Sequence, residues 1–160
     1  MGLLTNEIKD ALKVVGKGGS VVHLATSSID GKPNIVAERF VTSYLDDYIL
    51  IADMFAQKTK VNLNENPNAS ISIAHPIGSR SWVFRGPATV INIGATSTDT
   101  WHDINVGQVL EEWGDWAAKE PPLEVPPDIA PPKVAQRGLI VLKVEEIISS
   151  ELENSGSKIA

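Results

Sequence analysis

The 160-residue chain contains no cysteine, which excludes disulfide bonds, thiolate metal ligands and a cysteine nucleophile. Positive charge is also scarce, because 14 lysine and arginine residues stand against 20 acidic residues and give a formal net charge of −6. This balance argues against a general binder of nucleic acid or anionic membranes, although a local basic pocket can still hold one phosphate. No apolar run approaches the roughly 20 residues of a membrane span, and residues 1–10 lack a signal-peptide pattern. We therefore expect a soluble cytoplasmic protein without nucleic-acid or membrane partners.

The length predicts a single domain over residues 1–160, with an amphipathic helix within residues 1–16. Thr5 is a suitable N-cap for that helix. Apolar residues then recur at helical spacing, namely Leu4, Ile8, Leu12 and Val15.

Residues 20–95 are expected to form the core of the domain. Their β-branched segments predict five strands, at 20–26, 34–43, 48–52, 69–75 and 81–93. Asp30-Gly31 is a strong hairpin signal between the first two strands, and Asp46-Asp47 marks the next turn. Gly86-Pro87 predicts a bend in the last strand, because proline within a strand implies an edge or a bulge. A change of period predicts a short helix at 58–66.

The remaining sequence predicts four segments. An apolar stripe indicates a helix over 97–118, and most of the ten prolines fall in 121–132, which predicts an extended linker. A last strand is expected over 137–148, followed by a frayed tail over 149–160. Six strands with short turns, and no alternation of strand and helix, favour a mainly β antiparallel barrel or sandwich.

The strongest chemical signal is the stretch YILIADMFAQKTKVNLNENP from Tyr48 to Pro67. A strand ends there near Asp53, and Lys58-Thr59 opens a helix. Free backbone N–H groups at a helix start favour an anion, and a lysine and a hydroxyl group add charge and a donor. From the residues alone, a phosphate cradle and a solvated lysine beside a capping threonine both remain open.

The chain from about Ser20 to Gly94 resembles the pyridoxamine 5′-phosphate oxidase-like, FMN-binding split-barrel family. The resemblance rests on ordered pieces of sequence: LAT, DGKPNIV, ILIAD, KT..NL.ENP, SISI and WVFRGPA. It implies a six-stranded antiparallel split barrel, Greek-key-like and of the flavin-reductase type. It also implies FMN as the cofactor, held between the two subunits of a homodimer.

The resemblance further implies that the flavin phosphate lies on Lys58 and Thr59. Residues 39–43 would line the isoalloxazine or contact the phosphate, the loop at Ala52 and Asp53 would approach the ribityl chain, and residues 82–85 would lie near the dimer seam. The cofactor-binding residues implied in this way are Arg39, Phe40, Val41, Thr42, Ser43, Ala52, Asp53, Lys58, Thr59, Asn62, Trp82 and Arg85.

Three of these residues have an alternative interpretation. Arg39 is either a second cation beside the flavin, where it would stabilise negative charge on reduction, or a surface residue of an alternating strand. Arg85 is either such a cation beside the flavin or the partner of a carboxylate. Trp82 shares a face with Phe84, and core filling is the more common outcome for such a pair.

No catalytic residue and no metal site are predicted, since the three histidines are scattered and a flavin itself carries the hard chemistry. The acidic tail lacks the basic C-terminal motif of pyridoxamine phosphate oxidase, which argues against vitamin B6 oxidation. We expect an FMN-dependent oxidoreductase acting on a small molecule or a reduced nicotinamide. The alternatives are a flavin-binding electron carrier, the same barrel with deazaflavin F420 or haem, and a barrel that only mediates subunit contacts.

Overall fold

Strands and short helices make up the part of the chain that the computed structural model describes. It covers residues 2–15, 21–38, 41–52, 57–75, 80–91, 100–102, 104–109, 111–112, 139–150 and 157–158. Within these residues, no helix has the length and apolar character needed to cross a membrane.

Helix α1 (Asn6–Val14) begins where the sequence predicts it. The hydroxyl group of Thr5 accepts a hydrogen bond from the backbone N–H of Ile8, which caps the helix start. Glu7 in the first turn and Lys13 in the last turn complement the helix dipole. The buried face packs into the main core through Ile8, Ala11 and Leu12.

Two hairpins follow the helix. Strand β1 (Val22–Ser27) pairs antiparallel with β2 (Pro33–Glu38) around the predicted turn, where Gly31 has a φ of 86°. Strand β3 (Val41–Tyr44) pairs antiparallel with β4 (Tyr48–Ala52). The return strand predicted over 34–43 is therefore seen as β2 and β3, on either side of residues 39–40, which lie outside the described residues.

The next three elements follow in the predicted order. They are helix α2 (Gln57–Glu65), strand β5 (Asn68–Ala74) and the long strand β6 (Ser81–Ile91). Pro67 stands between α2 and β5, where it prevents the helix from continuing.

A small pair of strands lies where the sequence predicts part of a helix over 97–118. Strand β7 (Thr100–Trp101) pairs with β8 (Ile104–Asn105), and His102 between them has a φ of 50°. Within the described part of 97–118, the helical residues are 106–109 and 111–112. The helix prediction is wrong for the residues of β7 and β8, where Trp101 and Ile104 pack against the sheet from two paired strands rather than from one helix face. The other residues of the predicted helix, and the linker at 121–132, lie outside the described residues.

The last strand predicted over 137–148 is instead two strands. Strand β9 (Leu139–Lys143) pairs with β4 and with the end of β6, whereas β10 (Glu146–Ser150) pairs with the beginning of β6. The prediction of a frayed tail from residue 149 is wrong for β10 and for β11 (Ser157–Lys158), which pairs with β10. In β10 the buried residues Ile147 and Ser149 alternate with half-buried neighbours, which is the pattern of a strand that continues past residue 148.

The main sheet runs in the order β2-β1-β5-β6-β9-β4-β3, with β10 and β11 attached through β6. The first and last strands of this path, β2 and β3, are separated in the chain only by residues 39–40. A sheet whose two ends are so nearly continuous has to curl back on itself. With β2 and β3 counted as one interrupted strand, the path has six antiparallel strands, and the predicted mainly β split barrel is confirmed.

The curled sheet separates two apolar clusters. Ile49 and Ile51 of β4 point into the main cluster with α1, β1, β5 and the first half of β6, while Leu50 and Ala52 point into a second cluster. The second cluster is covered by Trp101, Ile104, Val106 and Val109. Strand β4 is therefore buried on both faces, which explains its uninterrupted apolar sequence.

Helix α2 is fixed to the barrel by a buried polar pair. The side-chain amide of Asn62 donates from Nδ2 to Oγ1 of Thr26 on β1 at 3.1 Å. Asn62 is 0% exposed and Thr26 is 5% exposed. Oδ1 of Asn62 has no hydrogen-bond partner within the described part of the chain. Leu63 adds an apolar contact to the main cluster beside this pair.

Strand β6 exchanges one of its two neighbours around Gly86-Pro87, where the sequence predicts a bend. Residues 81–87 pair with β5 and residues 81–85 pair also with β10, whereas residues 88–91 pair with β9. A Cβ atom at Gly86 would lie 1.8 Å from the backbone carbonyl oxygen of Lys143. The close approach of the two chain segments therefore requires glycine at this position.

We expect Gly86→Ala to lower the free energy of unfolding by about 3 kcal/mol, because the clash is with backbone that cannot move aside cheaply. Gly31→Ala is the matched control. A Cβ atom at Gly31 meets nothing within 4 Å, so only its positive φ costs stability, about 1 kcal/mol. Urea unfolding of the two variants measures the difference, and equal losses would contradict this account.

The Asn62–Thr26 pair provides a second prediction. Thr26→Val leaves the buried amide of Asn62 without its acceptor and should cost about 1–3 kcal/mol of unfolding free energy. The double variant Thr26→Val with Asn62→Leu removes both polar groups and should be more stable than Thr26→Val alone. A double variant that unfolds at lower urea concentration than Thr26→Val would rule out this explanation.

Candidate functional site

The first turn of α2 and the hairpin of β1 and β2 meet at one corner of the barrel. Lys58 is exposed in this turn, whereas its neighbour Thr59 is 0% exposed. Asn34 of β2 donates from Nδ2 to Oγ1 of Thr59 at 3.3 Å. This hydrogen bond holds the hairpin against the helix start, where backbone N–H groups have no partner within the helix.

The tip of the hairpin places one carboxylate beside Lys32 and within electrostatic reach of Lys58. The hydroxyl group of Ser28 donates to the carboxylate of Asp30, and Nζ of Lys32 lies 3.8 Å from the same carboxylate. Hydrogen bonds from Ser28 and the backbone, followed by the positive charge of Lys58 and a hydrogen bond from Lys32, lower the pKa of Asp30 below its usual 3.8. Asp30 is therefore a fixed negative charge at this corner at neutral pH.

Sequence reasoning identified Lys58, Thr59 and Asn62 on α2 but missed the residues that surround them. Asp30, Lys32 and Asn34 belong to the DGKPN stretch, which the sequence marks as a hairpin turn. The turn was correctly recognised, but the sequence contains no local signal that it folds against a helix that begins more than 20 residues later.

The predicted site residues of β3 and β4 lie side by side. Val41 pairs with Ile51, so β3 runs along the end of β4 that finishes at Ala52. The side chains of Val41 and Ala52 are buried in the two apolar clusters, and Thr42 and Ser43 are half-buried. Arg39, Phe40 and Asp53 lie outside the described residues.

Trp82 is buried, with 1% of its surface exposed, and belongs to the main apolar cluster. The guanidinium carbon of Arg80 lies 5.5 Å from the centre of its ring. The structure thus places the Trp82 side chain in the core, and its contact with a cofactor stays a prediction.

Arg85 lies away from Lys58. Its Nη1 is 3.4 Å from Oε1 of Glu146 on the neighbouring strand, so it pairs with a carboxylate, which was one of the two alternatives. Both residues line a cleft of about 640 Å³, together with Asn66 and Asn68 from beyond the end of α2. Arg85 and Lys58 are therefore associated with opposite ends of this helix.

Metal chemistry has no candidate site in the described ranges, where no three histidine, aspartate or glutamate side chains form a cluster that could hold an ion. What the corner offers instead is an exposed ammonium group at a helix start, a second lysine and one carboxylate. Such a set of groups can bind an anion such as a phosphate.

Solved structures share this fold over nearly the whole chain. HupZ from Group A Streptococcus is 19% identical with a TM-score of 0.65, over 97% of this chain and 99% of that one. A pyridoxamine 5′-phosphate oxidase-related, FMN-binding protein from Nostoc punctiforme is 18% identical with a TM-score of 0.63, over 98% and 87%. The haem storage protein HutZ from Vibrio cholerae and an F420 reductase are also similar, with TM-scores of 0.56 and 0.51.

Comparison at the level of sequence identifies the family. An uncharacterized protein of Methanocaldococcus jannaschii is 29% identical over 147 residues, which cover 90% of this chain and 78% of that protein. The family model described as pyridoxamine 5′-phosphate oxidase matches residues 4–150. The chain therefore belongs to the pyridoxamine 5′-phosphate oxidase family.

Proposed function

We propose that this protein binds FMN and is a cytoplasmic, flavin-dependent oxidoreductase that acts on a small molecule or a reduced nicotinamide. Family membership supports a flavin, and a similar structure is that of an FMN-binding protein. The single observation that carries the proposal is the exposed Lys58 in the first turn of α2, beside backbone N–H groups that the helix leaves unpaired.

The corner suits the phosphate group of FMN in charge and in exposure. Lys58 would donate from its ammonium group, and the helix start would add backbone donors and the positive end of the helix dipole. Hydrogen bonds to charged groups contribute about 1.5–3 kcal/mol each, so one such lysine changes the affinity substantially.

Thr59 and Asn62 lie beneath the surface that Lys58 and the start of α2 form. The Oγ1 atom of Thr59 accepts the hydrogen bond from Asn34, and Asn62 donates to Thr26. Both residues are fully buried, so they fix the first turns of α2 against the hairpin and β1. Their role in the proposal is to hold Lys58 and the free N–H groups in position, and a direct contact of Thr59 with the phosphate stays a prediction.

We place the flavin between the two subunits of a homodimer. One barrel presents the charged corner on its surface, and the neighbouring predicted residues Val41 and Ala52 turn their side chains into its own cores. A second subunit would then cover the ring system and exclude water from it. When bound, the flavin supplies the hydride chemistry, and the chain supplies binding, orientation and shielding.

We expect Lys58→Met to weaken FMN binding roughly 10- to 100-fold, because it removes a charged hydrogen-bond donor to the phosphate. Riboflavin lacks the phosphate, so its affinity should stay within about twofold. Lys13→Met in the last turn of α1 removes the same charge elsewhere and is the matched control. Flavin fluorescence titration measures all of these affinities, and equal effects of the two substitutions on FMN would refute the phosphate assignment.

The absorbance spectrum of the freshly purified protein separates the functional classes. Flavin bands that bleach anaerobically with a reduced nicotinamide support the oxidoreductase, and flavin bands that persist under all reduced nicotinamides tested favour an electron carrier. A Soret band would indicate haem. Protein that is colourless and does not bind added FMN would contradict the proposal.

A further inference from the structure

We propose that the tip of the β1–β2 hairpin is the second half of the phosphate site: Lys32 binds the phosphate together with Lys58, and Asp30 beside Lys32 weakens its binding. The inference rests on the proposed function and adds to it. It assigns to the hairpin a cation that attracts the phosphate dianion and a carboxylate that limits the affinity.

The β1–β2 hairpin is held next to the start of α2. The hydrogen bond from Asn34 to Thr59 fixes the residues that follow the turn to the first turn of α2. Lys58 is the residue next to Thr59, and Lys32 lies two residues before Asn34. The two lysines thus come from different parts of the chain and meet at the same corner.

Hydrogen bonds within the turn make the backbone of the hairpin tip rigid. The N–H of Lys32 donates to the Ser28 hydroxyl oxygen at 3.0 Å, and the N–H of Ser28 donates to the carbonyl oxygen of Lys32 at 2.9 Å. The N–H of Gly31 donates to the carbonyl oxygen of Ser28 at 3.0 Å. The hydroxyl group of Ser28 in turn donates to the carboxylate of Asp30. The backbone of the turn is therefore fixed, and the Asp30 carboxylate is tied to it through Ser28, while the Lys32 side chain extends into solvent.

The charges of Asp30, Lys32 and Lys58 partly cancel. The carboxylate of Asp30 lies 3.8 Å from Nζ of Lys32 and interacts with the charge of Lys58. Its negative charge offsets part of the positive charge of the two lysines, and it repels the phosphate once FMN arrives. Two cations and one anion leave the corner with one net positive charge, which favours reversible binding of a dianion.

Three variants test these roles by FMN titration. Lys32→Met should weaken FMN binding roughly two- to fivefold, and Asp30→Asn should tighten it by a similar factor, as expected for exposed charges. The double variant should return close to the wild-type affinity. Riboflavin binding should stay within twofold throughout, which shows that the site is intact, and Lys32→Arg should retain FMN affinity because it keeps the charge.

Lys13→Met and Asp10→Asn make the same charge changes on α1, which packs against β3, and should leave FMN affinity unchanged. The differences at the hairpin should shrink in 0.5 M salt, since screening is stronger there. If the hairpin variants behave like the α1 controls while Lys58→Met still weakens FMN binding, the inference is wrong and the proposed function stands. If the wild-type protein binds no FMN, both are wrong.

Discussion

The close packing of β6 against the backbone that follows β9 is the constraint on which the curled sheet depends. At Gly86 the backbone of Lys143 comes so close that no side chain fits. Strand β6 pairs with β5 along residues 81–87, with β10 along residues 81–85 and with β9 along residues 88–91, so it joins both halves of the sheet. The path of the sheet therefore begins at β2 and ends at β3, only two residues apart in the chain. The curl of the sheet in turn gives the barrel two separate apolar clusters.

The candidate site depends on this geometry. Helix α2 follows β4 in the chain and is fixed against β1 and β2 by two polar contacts, Asn62 to Thr26 and Asn34 to Thr59. These contacts bring the hairpin tip and the helix start together, although neither contains enough charge to form a site alone. In a chain with a net charge of −6, two lysines at one corner are a local exception to the overall acidic character.

Local signals explain which elements could be predicted from the sequence. The Thr5 cap and the turn at Asp30-Gly31 each depend on the chemistry of one or two residues, and each has the expected conformation. At Gly86-Pro87, where a bend was expected, the neighbour of β6 changes from β10 to β9. Errors occur where tertiary packing decides the conformation. Strands β7 and β8 have helix-like apolar spacing because their apolar residues cover the sheet. The chain breaks into β9 and β10, which have different partner strands, within an apolar run that contains no local signal for the break.

The candidate site was likewise predictable only where a local signal exists. The family resemblance and the helix start identified Lys58, but the burial of Thr59 depends on Asn34, which lies 25 residues earlier in the chain. The most direct test is a crystal structure of the protein grown with FMN. The account predicts a phosphate oxygen about 2.8 Å from Nζ of Lys58, in front of the first turn of α2. A phosphate bound elsewhere on the barrel, with Lys58 still in solvent, would contradict it.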